Sequence, residues 1–332
     1  MGPDVGRLDS SGDRLVTASP AMRHVMQEIG RAAAQSVHVL LSGERGTGRE
    51  TLARAIHAQS RHSGGPFIGV DCGKSSPQAL EAQLFATTSH GTVERRSLER
   101  VRRTGLLFLS KGGTLFLKNV VDLPARLQTR LVRVLRDGEV VIMDEGTRVE
   151  LDHRVITATE ASFDVAMQDG RLLPDLYKRL SGVRVDVPGL RQRREDIPAL
   201  AVHLLNVLCA REKLPAKQLS DPAKTMLAAL PWRGNLEELR RLLEVLIMRA
   251  ASASIGLEDV LANVRLDGQA PRFVVGASLR EARARFETEY IAAVVAHHHG
   301  RIPEAAKTLG IQRSNLYRKM RRLNVRSRIR PT

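Results

Sequence analysis

Residues 37–59 carry the pattern that most limits the fold: an apolar run, VHVLLSG (37–43), the glycine-rich GERGTGRE (43–50), then apolar positions at helical spacing over 49–59. A short apolar run ending in glycine reads as a buried strand, and the spacing after it as a helix. A glycine-rich turn between the two directs backbone N–H groups at an anion, beside the positive end of the helix dipole. A buried strand needs neighbours, and PFIGVDC (66–72), GGTLFLKNV (112–120) and RVITATE (154–160) supply them, with helical patterns at 20–34 and 123–137. Strands alternating with helices predict an α/β fold, a parallel sheet covered on both faces. Beyond Pro188 the pattern is all-helical, at 195–212, 221–229 and 235–251. The expected divisions are a loose tail at 1–13, an α/β subdomain at 14–188, a helical subdomain at 189–264, a linker at 265–277 and a small all-α domain at 278–332.

Charge gives the first functional constraint. The chain carries a net +16, which calls for an anionic partner such as nucleic acid. An even spread of arginine would signal composition alone, but residues 301–332 hold ten Lys or Arg against one acid, Glu304, and so contribute +9. Within them, Ala305, Ala306 and Leu309 form the inner face of a short helix, Gly310 permits a turn, and Ile311, Leu316, Met320 and Leu323 face inward from the next. That is helix-turn-helix spacing. The second helix then presents Gln312, Arg313, Ser314, Asn315, Arg318, Lys319 and Arg322. Arg, Asn and Gln suit bidentate base contacts, and the remaining cations suit phosphates. The alternative is a small helical bundle with a solvated basic face. No apolar run reaches the ~20 residues of a membrane span, and the amino terminus lacks the core of a signal peptide. The expected compartment is therefore the cytoplasm, with no membrane partner. Cys72 and Cys209 belong to no ligand pattern and read as packed thiols, while His297, His298 and His299 cannot share one helix face and read as a solvated helix end.

The longer motifs resemble the AAA+ domain of NtrC-type sigma-54-dependent activators, the bacterial enhancer-binding proteins. SPAM (19–22), GERGTGRE (43–50), RAIHAQS (54–60), PFIGVDC (66–72), GGTLFL (112–117), LQTRLVRVL (127–135), DLYKRL (175–180), PGLRQRREDIPAL (188–200) and PWRGNLEEL (231–239) carry it. The carboxy-terminal AA…LGI…LYRKM resembles the Fis-type helix-turn-helix that ends such proteins. The resemblance implies a P-loop domain with a helical lid over 189–264, then a DNA-binding domain that dimerises on two-fold sites, with 278–296 as the dimerising helix. The receiver or sensor domain common ahead of this module is expected to be missing.

The nucleotide site implied by the resemblance comprises Gly43, Gly46, Thr47, Gly48, Arg49, Glu50, Lys118, Asn119, Glu160, Arg179 and Glu237. At several of these positions the sequence departs from the family. Arg49 replaces the phosphate-loop lysine, and Lys118-Asn119 replaces the Asp-Glu pair that serves magnesium and the attacking water. Glu160 replaces the polar sensor, normally Asn, and Glu237 the lid arginine; of two arginines that reach a neighbouring subunit, one position holds Leu173 and Arg179 survives. The Gly-Ala-Phe-Thr-Gly-Ala loop that touches sigma-54 is absent, since residues 86–104 read ATTSHGTVERRSLERVRRT, with five Arg against Glu94 and Glu99. That segment reads as a solvated amphipathic helix or as an auxiliary DNA contact.

These departures predict no magnesium site, no cofactor, no tight ATP binding and no enzymatic activity, and a self-neutralised cleft in which Lys118 pairs with Glu160 and Arg49 with Glu237 beneath a closed lid. The function expected is sequence-specific regulation of transcription on a degenerate AAA+ scaffold, independent of sigma-54. Expected partners are double-stranded DNA, further copies of the chain in a dimer or ring, and RNA polymerase. The competing expectations are a weakly active ATP-dependent sigma-54 activator, a regulator that senses a nucleotide ligand, and a nucleoid-shaping protein.

Overall fold

The computed structural model describes residues 5–8, 14–86, 98–160, 163–250, 252–264, 288, 291, 295, 301–308 and 311–322. Five parallel strands form the central sheet, in the spatial order Val183–Val187, Val39–Gly43, Arg154–Thr159, Thr114–Lys118, Phe67–Asp71. Four of them are the apolar runs of the sequence. Alternation along them divides the core: Val39 and Leu41 pack with Ile29, Leu52 and Ile56 of helices Pro20–Ala34 and Arg49–Ala58. Leu40, Leu115, Leu117 and Val155 pack on the other face with Leu127, Leu131 and Leu176 of helices Ala125–Asp137 and Pro174–Leu180. Each such side chain stabilises the fold by about 1.5–3 kcal/mol on burial. Ser19 caps the first helix by accepting from the Met22 N–H at 3.1 Å, with Pro20 in its first turn.

Two expectations are corrected and one strand is added. The added strand, Val183–Val187, is apolar at its odd positions with Arg184 and Asp186 between them, so it forms no continuous apolar run; it closes one edge of the sheet and is only half-buried. Residues 99–101 are not a solvated helix: Glu99–Val101 is a strand, its first and last side chains buried and Arg100 exposed, parallel to Glu139–Ile142, which pairs antiparallel with Arg148–Glu150. Glu99 is only 1% exposed because the Arg130 guanidinium neutralises it at 2.7 Å. Residues Val5–Leu8, expected in a loose tail, pair antiparallel with Arg14–Val16.

Arg154 begins a strand but is 2% exposed. Its guanidinium donates to the carbonyls of Ala32 at 2.6 Å and Val37 at 3.0 Å, meeting the negative end of the first helix with a buried cation. Beside it, burial and then the charges of Arg154 and Arg179 lower the pKa of His38 to about 4. Burial, then His38 and His62, lower that of His153 to about 4, against an opposing Asp152. Both folded values lie below the ordinary histidine range, so the unfolded chain takes up protons first as pH falls. Stability is present above about pH 6.5 and is lost toward pH 4, by roughly 2–3 kcal/mol per histidine. Urea unfolding at pH 7 and pH 5 should show this loss, and His153→Gln should make it shallower; an unchanged pH slope in the variant would exclude His153 as its source.

The lid consists of helices Ile197–Arg211, Asp221–Ala229, Asn235–Arg249 and Leu257–Asn263, packed through Leu205, Leu208, Leu227, Leu243, Leu246 and Val260. It belongs to one compact unit with the α/β part, residues 1–263; residues 264–332 form a second unit. In that unit, helices Ile302–Thr308 and Arg313–Arg322 enclose Ala305, Ala306, Leu316 and Met320, with Ile291 and Val295 packed against them. Leu309, Gly310, Leu323 and most of 278–296 lie outside the described residues, as do His297, His298 and His299. Cys72 and Cys209 are free and buried. Among the described residues no helix is long and apolar enough to cross a membrane, and no group of His, Cys, Asp and Glu could hold a metal ion.

Candidate functional site

The phosphate loop leaves the Val39–Gly43 strand and enters helix Arg49–Ala58 through two glycines in the left-handed region, Gly46 at φ 76° and Gly48 at φ 93°. A side chain is strained at those angles, and at Gly46 a Cβ would also lie 2.5 Å from the Gly234 carbonyl of the lid. Loop and lid are bonded directly: the Leu236 N–H donates to the Gly46 carbonyl at 2.8 Å, and the Asn235 amide to the Arg45 carbonyl at 2.8 Å. Arg193, 3% exposed, donates to the Thr47 carbonyl at 2.8 Å. Asp196, fully buried, accepts from the Ser19 N–H at 2.6 Å and the Ser19 hydroxyl at 2.8 Å, tying the lid hinge to the start of the first helix. Glu44 is held below the usual carboxylate range by hydrogen bonds from Arg191 and Asn235. Gly43 keeps close contact with the edge strand, and Thr47, 1% exposed, donates its hydroxyl to the Glu44 carbonyl at 2.8 Å.

The loop, the strand ends and the first turn of the lid helix line a cleft of about 610 Å³. Its charges balance in pairs: Arg49–Glu160 at 3.2 Å, Lys74–Asp71 at 3.4 Å, Arg171–Asp122 at 2.8 Å, Arg45–Glu237 at 3.5 Å, and Lys118 in contact with Glu50. The pairing differs from the expected one. Sheet register sets Lys118 opposite Ala158 and Asp71, so Glu160 lies two residues, roughly 6–7 Å, further on, just past the end of the neighbouring strand. Lys118 turns instead to Glu50 in the first turn of the loop helix. Arg49, one residue earlier on that helix, takes Glu160. Glu237 reaches Arg241 one turn on, at 2.7 Å, and Arg45 rather than Arg49.

Burial presses the Arg49 guanidinium below its ordinary pKa, partly offset by Glu160, and its Nη1 is buried without a hydrogen-bond partner. Burial raises the Glu50 carboxyl, but bonds from Lys118 and then Arg54 outweigh it and leave the pKa lowered. Asn119, at φ 54°, donates to Asp71 Oδ1 at 3.0 Å. Burial opposes ionisation of Asp71, yet Asn119, the Gly73 N–H and Lys74 hold it below the usual range. Asp71, Arg193, Asp196 and Asn235 escaped the sequence reading, since only the fold brings them to the loop. Arg179 borders a separate hollow with His38, Asp175 and Lys178, so the cleft does not contain it.

On the recognition helix Gln312, Arg313, Ser314 and Arg318 are exposed, Asn315 and Lys319 partly so, while Leu316 and Met320 are buried. Arg318 donates to Asn315 Oδ1 at 2.8 Å, and Arg313 lies over the Tyr317 ring at 5.8 Å. Tyr317, 47% exposed, adds a donor–acceptor hydroxyl to this face that the charge pattern did not reveal. The side chain of Arg322 lies outside the described residues.

A P-loop domain with a helical lid, joined to a helix-turn-helix, is the class this architecture defines. Residues 15–186 match the sigma-54 interaction domain, 191–272 the AAA+ ATPase lid domain and 282–323 the Fis family of bacterial regulatory proteins. The chain belongs to the sigma-54 activator family. It is 34% identical over 313 residues to the transcriptional regulatory protein GlrR of Escherichia coli K12, covering 93% of this chain and 68% of that relative. It is 32% identical over 345 residues to the DNA-binding transcriptional regulator NtrC of Klebsiella pneumoniae, covering 96% and 72%. The crystal structure of NtrX from Brucella abortus in complex with ADP matches with a TM-score of 0.66 at 33% identity, over 95% of this chain and 70% of that one; a complex with ATP gives 0.66 at 32%. These matches correct the expectation that the chain is not an enzyme: its lid is that of an AAA+ ATPase, and a relative of this similarity is seen with ADP and with ATP. The glycine cradle and the unpartnered Arg49 donor fit a nucleotide phosphate. Beside them in the cleft stand the Lys118 ammonium and the Asn119 amide, whose N–H is turned to Asp71.

Proposed function

We propose that the chain is a sequence-specific transcription regulator that binds double-stranded DNA through Gln312, Arg313, Ser314, Asn315, Arg318, Lys319 and Arg322, and whose AAA+ module is a slow ATPase with weak nucleotide affinity. The single observation that carries the DNA reading is the exposed basic and amide face of helix Arg313–Arg322 over a packed apolar floor. Weak affinity follows from the charge-paired cleft: a nucleotide must replace Glu160 and Glu50 as the partners of Arg49 and Lys118. Slow turnover follows from an amide, Asn119, in place of the carboxylate that orients the attacking water. The absence of the Gly-Ala-Phe-Thr-Gly-Ala motif between residues 86 and 104 favours regulation through contacts other than that loop, with RNA polymerase as the target and further copies of the chain in the assembly. Selection from a random duplex library by the full chain tests the DNA reading. Enrichment of one motif with two-fold symmetry is the expected outcome; recovery of duplexes without any shared sequence would overturn specific recognition.

A further inference from the structure

We propose that the cleft binds a nucleoside di- or triphosphate without a divalent cation, the Lys118 ammonium and the Arg49 guanidinium supplying the positive charge that a metal supplies elsewhere. This rests on the reading that the cleft takes nucleotide at all. Lys118 ends the Thr114–Lys118 strand and Arg49 opens the loop helix, so the two cations reach the same cleft from the sheet and from the loop. Arg49 Nη1, shut from solvent and without a partner, is a donor still short of an acceptor. A phosphate oxygen beside the left-handed glycines supplies one, and a neutral ligand does not.

Exchange of partners costs affinity but strands neither acid. Glu50 also holds Arg54 at 3.1 Å, so releasing Lys118 to a phosphate leaves it paired. Glu160 is 46% exposed, so releasing Arg49 returns its carboxylate to water. A divalent ion finds no comparable welcome. The Lys118 ammonium repels it, and Asn119 turns its N–H rather than its oxygen to Asp71. Asp71 and Asp122 are taken up by Lys74 and Arg171. Magnesium on the nucleotide would also shield the phosphates from Lys118 and Arg49, whereas the metal-free nucleotide presents its full negative charge.

Isothermal titration of the full chain with ATP and with ADP, in EDTA and in millimolar magnesium, tests this. Affinity in EDTA should equal or exceed that in magnesium. Lys118→Asp should reverse the preference, with about a tenfold or greater loss in EDTA and recovery on adding magnesium. Glu160→Gln, which frees Arg49 while leaving Lys118 in place, should tighten binding several-fold in EDTA. Matching thermal melts of both variants would separate these effects from misfolding. Binding that requires magnesium overturns the inference and leaves the nucleotide reading standing. No binding in either buffer removes the nucleotide reading itself and the inference with it.

Discussion

Deleting residues 301–332 should abolish site-specific DNA binding while residues 1–263 stay folded, with an unfolding transition close to that of the full chain. The deleted segment carries +9 of the net +16 and the helix-turn-helix side chains assigned to base reading, and the AAA+ module closes its own core within residues 1–263. Specific binding exceeds non-specific binding by about a thousandfold or more, so fluorescence anisotropy on the selected duplex should fall to the level of a scrambled one. Arg318→Ala resolves the role of one contact. If Arg318 meets a base, about 1–3 kcal/mol and the preference at one position are lost; if it meets a phosphate, affinity falls for all sequences and the salt slope drops by about one. Specific binding that survives the truncation would move the DNA surface to another part of the chain.

Arg130→Met should be strongly destabilising. Arg130, 6% exposed, donates to Glu81 at 2.7 Å and Glu99 at 2.8 Å, and lies over the Phe85 ring at 3.6 Å. It joins helix Ala125–Asp137 to the acids on either side of residues 86–98. Replacing it with an apolar side chain leaves two buried carboxylates short of their main cation, a loss of about 3–5 kcal/mol and roughly 10 °C in melting temperature. Adding Glu81→Gln and Glu99→Gln to Arg130→Met should recover part of that loss, because an amide is far cheaper to bury than an anion. A single variant that melts with the parent, or a triple variant less stable than the single one, would show that the network does not hold the fold in this way.

Much of this architecture was legible in the residues. Strands at 37–43, 66–72, 112–120 and 154–160 appeared as apolar runs because both faces of a parallel sheet are covered, and the helices at 20–34 and 221–229 carried Ser-Pro or Asp-Pro starts. The Val183–Val187 edge strand was hidden because an edge position tolerates Arg184 and Asp186. Glu99–Val101 was hidden because a glutamate in an arginine-rich stretch reads as solvated until a distant Arg130 is known to bury it.

By itself the sequence determined the class of fold, the glycine loop, the helix-turn-helix and the inventory of charges around the cleft. Tertiary structure decided which of those charges meet. The family resemblance implied that cations and acids would face one another, but Lys118 pairs with Glu50 and Arg49 with Glu160 because register places Ala158, not Glu160, beside Lys118, and because adjacent residues of one helix point to different walls. Asp71 at the end of the next strand and Asp196 at the lid hinge became part of the site for the same reason. Local spacing is written along the chain, whereas contacts between elements depend on register and helix phase, which exist only once the sheet has formed.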